Sequence, residues 1–177
     1  MLLFLGLTTQ LGVFSFCLDL SQRTVGFLLN AASFAFVPQA FKHHADGDAH
    51  LFRSALLKAS IAALTLAGVA CAAIMLVWWS GLASSFFPSM FDPIAFLVVS
   101  GGVVVSRTMK LTLVPTAMQD QKTGALTWSY AAGGAFVVGV ATVLELLKMP
   151  YATAASFLLG YIVACSITAL LLRGSPQ

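Results

Sequence analysis

FSFCLDLSQRTVGFLLNAASFAFV, residues 14–37, has the length and apolarity of a membrane-crossing helix, yet one of its faces is polar. Ser15, Asp19, Gln22, Arg23, Gly26, Asn30 and Ser33 follow one another at steps of mostly three or four and so form one stripe. Phe14, Phe16, Leu18, Leu20, Val25, Phe27, Leu28, Phe34 and Phe36 make up the rest. An ionised Asp or Arg near mid-bilayer costs roughly 2.5–3.5 kcal/mol on insertion scales. The stripe is therefore expected to face protein or water, and a polar stripe of this kind is a candidate pathway.

Composition places the rest of the chain around that helix. Hydrophobic residues make up 59% and charged residues 8% of the 177 residues, against about 25% charged in a soluble domain. Mean hydropathy is +0.95. These values exclude a soluble globular protein and predict an all-α, polytopic transmembrane bundle forming a single domain, 1–177. Ten-residue alternating segments of the kind a β-barrel needs are absent.

Five spans are expected. The first apolar block, 1–41, is too long for one crossing, since it would exceed about 60 Å as a helix. Thr8-Thr9-Gln10 and Gly12 offer a break, which makes Met1–Leu7 a stub and starts the first span near Phe14, ending near Phe41 with Pro38 close by. The remaining spans are placed at about 55–79, 93–114, 124–147 and 150–172. Trp78-Trp79 fits an interfacial aromatic belt. Pro93 and Pro150 suit helix starts, and Pro115 is expected to end or kink the third span. At this size there is no room for a separate catalytic domain.

Basic residues set the orientation. Lys42, Arg53, Lys58, Arg107, Lys110, Lys122 and Arg173 flank alternate ends, whereas the opposite ends hold only Lys148. The positive-inside rule then makes both basic loops and the C-terminus cytoplasmic. A chain that opens with an uncharged apolar stub on the far side is expected to be cut from a longer polypeptide. The net charge of +3 forms no patch, and nucleic acid is not an expected partner.

Few groups carry chemistry. Asp19 and Arg23 have the spacing of a helical ion pair; they are either a self-neutralised pair that tolerates burial or cavity groups that meet an anionic substrate. Arg107 and Lys110 share a helix face and serve either as anchoring cations or as a rim for a phosphate group. His43, His44, Asp46, Asp48 and His50 lie in a Gly-containing loop and are read as solvated; no metal site and no cofactor are expected. Cys17, Cys71 and Cys165 stand singly in apolar runs and are read as core residues. Ser129-x3-Gly133 and neighbouring small residues suit close helix packing. Glu145 is placed near the outer interface beside Lys148, which leaves Asp19 as the carboxylate of the membrane core. No Ser/His/Asp set, phosphate loop or carboxylate pair is present, so an enzyme is not expected.

The stretch LGVFSFCLDLSQRTVGFLLNAASFAFVPQAFKHHADGDAHLFRSALLKAS resembles the flippases of lipid-linked polysaccharide repeat units (O-antigen type), in the multidrug/oligosaccharidyl-lipid/polysaccharide exporter superfamily. Gly12-Val13-Phe14-Ser15, Pro38 and the loop to Arg53 fit a pattern those proteins show, with Phe14 where Tyr is common. FFPSMFDPIAFLVVSGG resembles their outer turn. The resemblance extends over about residues 10–173.

What the resemblance implies is an incomplete C-terminal lobe of a two-lobe exporter working by alternating access. The substrate would be a polyprenyl-pyrophosphate-linked sugar, and the place the bacterial cytoplasmic membrane. Membrane lipid and a missing N-terminal lobe or second chain would be its partners. Asp19, Gln22, Arg23, Asn30 and Ser33 would line the cavity, with Arg107 and Lys110 at its cytoplasmic mouth. Two other classes remain open: a drug or cation exporter, which would place carboxylates at the cavity centre, and a non-transporting membrane scaffold, whose polar stripe would be filled by neighbouring side chains.

Overall fold

Long apolar runs give backbone N–H and C=O groups no solvent partner, so in a membrane they must bond within their own segment. The chain accordingly folds as helices. The computed structural model describes residues 8–81, 91–119 and 123–173. They form α1 (Thr8–Ser21), a π-helical segment (Gln22–Gly26), α2 (Phe27–Ala45), α3 (Ala49–Trp79), α4 (Pro93–Gln119), α5 (Thr123–Leu146) and α6 (Ala152–Arg173), with no strand among the described residues. The stub Met1–Leu7, most of the Ser80–Asp92 turn with its aromatic motif, Lys122 and the C-terminal tail lie outside the described residues.

Five helical segments, Gln10–Ala45, Ala49–Trp79, Pro93–Met118, Thr123–Leu146 and Ala152–Leu172, are long and apolar enough to cross a membrane. The protein is a multi-pass membrane protein with an all-α bundle.

Several span boundaries differ from the sequence expectation. No break occurs at Thr8–Gly12. One continuous helical rod runs from Thr8 to Ala45, and Gly12 sits inside α1, which packs along α4. At about 54 Å for Gln10–Ala45, this rod exceeds a hydrocarbon core of about 30 Å.

Its far end closes on Gly47 (φ +80°), where the Gly47 and Asp48 amides donate to the His44 and His43 carbonyls, both at 3.0 Å. Asp48 then caps α3, its Oδ1 accepting from Leu51 N at 2.9 Å, so this helix starts earlier than residue 55. His43 and His44 belong to the last turn of α2 and His50 to the first of α3 rather than to the loop, and the His44 ring lies 5.6 Å from the Phe52 ring.

Pro115 does not end α4, which continues to Gln119. The proline removes one backbone donor. Around it, the hydroxyls of Thr112 and Thr116 bond back to the carbonyls of Thr108 and Thr112 at 2.8 and 2.7 Å, so neither polar side chain is left bare within the helix. The extension moves Arg107 from the expected helix end to mid-helix. Pro93 does open α4, and Asp92 Oδ1 accepts from the amides of Ile94 and Ala95 at 2.8 and 3.1 Å. Pro150 and Tyr151 form the turn that precedes α6 rather than its first residues.

Packing pairs α2 with α3, α5 with α6, α4 with α6 and α1 with α4. The centre is built from Val25, Leu29, Ala32, Ala59, Ala63, Ala67, Val103 and Leu111. A second cluster near the other end joins Cys17, Ala95, Phe96, Val99 and Ala154. Ser21 and Ser100 add a buried 2.8 Å hydroxyl contact between α1 and α4, the polar glue common between membrane helices. Phe27, Phe34, Trp79 and Trp128 are exposed, as lipid-facing residues are.

The α5–α6 contact depends on missing side chains. A Cβ on Gly133 would stand 2.8 Å from Ala164 Cβ and 2.9 Å from the Gly160 carbonyl, while one on Gly160 would overlap Val137 Cγ2. Gly134 has open space where its Cβ would be. Gly160→Leu is therefore expected to lower stability in detergent by about 2 kcal/mol through overpacking. Gly134→Ala should be neutral or raise it by up to about 1 kcal/mol through helix propensity. Thermal unfolding of the two variants checks this, and equal melting temperatures would contradict the packing assignment.

Candidate functional site

The innermost side chains around the π-helical segment are Cys17 and Ser21 on α1, Val25 within the segment and Leu29 on α2; of the polar stripe, only Gly26 is buried with them. The stripe lies beside that core face. Asp19 and Arg23 form an ion pair in which Arg23 Nε donates to Oδ1 at 3.0 Å and Oδ2 at 2.9 Å. Their side chains are 60% and 78% exposed, so no described helix covers them. Ser33 turns its hydroxyl back to the Leu29 carbonyl at 3.0 Å.

Arg107 draws the separated residues together. From mid-α4 its guanidinium donates through Nη1 to Asn30 Oδ1 at 3.0 Å and through Nη2 to Gln22 Oε1 at 2.9 Å. Gln22 and Asn30 are eight residues apart. At about 3.6 residues per turn, residues seven apart align on an α-helix, and eight apart drift by most of a quarter turn. The π-helical segment Gln22–Gly26 widens one turn to take up extra chain, and this returns Asn30 to the side that Gln22 occupies. Both amides can therefore reach one arginine. Gly26, buried inside this segment, has Gln22 Oε1 and Val103 Cγ1 where a Cβ would point.

The amides satisfy part of the guanidinium and fix its plane, while the remaining N–H groups stay available to a forked acceptor such as phosphate. Lys110, one turn further along α4, is exposed and makes no ion pair with a described residue. The structure thus joins Gln22, Asn30 and Arg107. Asp19 and Arg23 lie on the adjoining surface, Lys110 stands apart, and Ser33 is engaged locally.

No family model, curated protein or solved structure matches this chain. What it does rests on the residues themselves.

Glu145 lies in the last turn of α5, near the helix end where the sequence placed it. Its side chain is turned into the bundle, at 7% exposure, rather than paired with Lys148. Thr153 Oγ1 donates to its Oε1 at 2.9 Å, and the Gln10 side-chain amide lies 3.2 Å from both carboxylate oxygens, to which it donates when turned nitrogen-inward. Neither Gln10 nor Thr153 stood out in the sequence. The available signal was a single carboxylate in a helix otherwise free of charge, followed closely by a threonine in the next helix. Just beyond, the Tyr151 hydroxyl bonds Asp92, which pushes its pKa up, as do lost hydration and the nearby carboxylate charge.

The Asn30–Arg107 bond is partly buried, whereas Gln22–Arg107 is exposed. Asn30→Ala is expected to cost about 2 kcal/mol and Gln22→Ala less than about 1 kcal/mol. Unfolding in detergent measures both. Equal losses would mean that the two amides do not differ in hydration as described.

Proposed function

We propose that the chain is part of a transporter that moves lipid-linked oligosaccharide or polysaccharide repeat units across the bacterial cytoplasmic membrane by alternating access. The observation that carries this reading is Arg107. It is a mid-helix guanidinium held in plane by Gln22 and Asn30, next to the exposed Asp19–Arg23 pair. A cation positioned at such depth is matched in charge and geometry by a pyrophosphate, the group common to lipid-linked sugars whatever sugar they carry. The apolar flanks on α2 and α3 suit a polyprenyl chain.

The uncovered Asp19–Arg23 surface supports a further part of the proposal, since an ion pair open to acyl chains is unfavourable. A second lobe, or a second chain, covers it across a hydrated cavity. The basic loops and C-terminus then face the cytoplasm.

A non-transporting scaffold is the reading to weigh against it. The same Arg107 fork ties α4 to both sides of the π-helical segment and by itself accounts for why Gln22 and Asn30 are polar. The two readings part on ligand binding. Purified chain should retain labelled polyprenyl pyrophosphate, and Arg107→Ala should weaken retention at least about tenfold, the value of one hydrogen bond to a charged group. Arg107→Lys should recover charge but only part of the binding, because an ammonium cannot fork. Retention unchanged in Arg107→Ala overturns the transport reading and leaves the arginine a structural clasp.

A further inference from the structure

The π-helical segment Gln22–Gly26 does more than aim two amides: it also sets which face of α2 meets the bundle. The deeply buried side chains of this rod are Cys17, Ser21, Val25, Leu29, Ala32 and Ala40, beginning with three successive steps of four. On a regular α-helix each step of four overshoots a full turn by about 40°, so three would swing the buried face away by about 120°. The widened turn absorbs one residue and brings Leu29, Ala32 and Ala40 back onto α3.

That residue can be given back. With Gln22–Gly26 wound as α-helix, everything beyond it turns by about 100°, and each place on α2 passes to the preceding residue. Leu28 and Ala31 then stand where Leu29 and Ala32 stand, and both are apolar; Ala31 and Ala35 are exposed in the present register. The surface that receives them is Ala59, Ala63 and Ala67 of α3, whose methyl groups raise no ridge that fits one face alone. Two positions oppose the turn. Gln39 would enter the place of Ala40 beside Phe52 and Leu56, and Leu29 would replace Asn30 at Arg107, breaking a partly buried bond. The chain stays connected because Ala45 leaves the end of α2 for the turn at Gly47.

We propose that Gln22–Gly26 is a register switch for α2, held by the Asn30–Arg107 bond and released when Arg107 lets Asn30 go. An anion at the guanidinium competes with Asn30 Oδ1, and a charged acceptor binds it more strongly than a neutral amide does. The coupling to an anion rests on the reading of Arg107 as an anion site; the change of register does not.

The test is thiol labelling of the full chain in detergent, with Cys17, Cys71 and Cys165 changed to alanine and one reporter added, Ala31→Cys or Ala40→Cys. In the present register the first labels quickly and the second slowly. Arg107→Ala and Asn30→Ala each open the clasp without a ligand. Each should speed Ala40→Cys at least about tenfold, as when a state of a few per cent becomes the major one, and slow Ala31→Cys. Deleting Thr24 removes the residue that the wide turn absorbs, so it should restore the original pattern in the Asn30→Ala background. Inorganic pyrophosphate on the intact clasp should reverse the pattern as the two variants do. If the variants reverse it and pyrophosphate does not, the switch stands and the anion reading of Arg107 fails. Should Arg107→Ala fail to fold, Asn30→Ala carries the test. The inference is overturned if no clasp variant reverses the pattern, if both reporters speed up together, or if deleting Thr24 restores nothing.

Discussion

Charge without water is the constraint around which this bundle is arranged. The lipid-exposed surface offers no compensation for an ionised group, and the chain meets that constraint in three ways. Asp19 and Arg23 neutralise one another one helical turn apart. Arg107 remains a cation but is held by two neutral amide oxygens. Glu145 is enclosed with an amide and a hydroxyl. The first arrangement is self-contained. The other two set an ionisable group beside neutral dipoles rather than beside an opposite charge.

Much of the architecture was legible because hydropathy and the membrane's thickness act directly on composition. Five spans, the opening of α4 at Pro93 and the close α5–α6 packing around Gly133 all followed from runs of apolar or small residues. Errors occurred where one local signal was given too much authority. Gly12 was taken as a break, although a single glycine inside a long apolar helix costs only about 1 kcal/mol and packing on α4 outweighs it. The third span was ended at Pro115, which was expected to stop or kink it, although in a membrane the following residues have no better option than to continue the helix.

The candidate site was readable by residue type but not by partnership. Gln22 and Asn30 were singled out together on one stripe, and Arg107 separately as a cation of the third span. Their union depends on the π-helical segment, which has no clear sequence signature: QRTVG carries neither proline nor an unusual run. A regular 3.6-residue periodicity sets residues eight apart most of a quarter turn off one another, so the stripe on which both were placed gave no sign that they meet one arginine. Glu145 was placed near the helix end, where it lies, but its burial was not read: proximity to Lys148 in sequence suggested a pair, whereas its partner is the Thr153 hydroxyl on α6.

Both charged centres are read out by the same stretch of chain. Gln10 on α1 reaches Glu145, and Gln22, at its junction with the π-helical segment, reaches Arg107; the two glutamines are about 18 Å apart along the helix. Between them the helix is regular and is fastened to α4 by the Ser21–Ser100 contact, so the two centres cannot shift independently through this element. A substitution at either glutamine therefore disturbs a shared rod, and its effects belong to neither centre alone. Asn30 lies on α2, beyond the π-helical segment, and Thr153 on α6, so each touches one centre and neither lies on the stretch between the two glutamines. This topology makes those two positions, rather than the glutamines, the ones through which the two centres can be told apart.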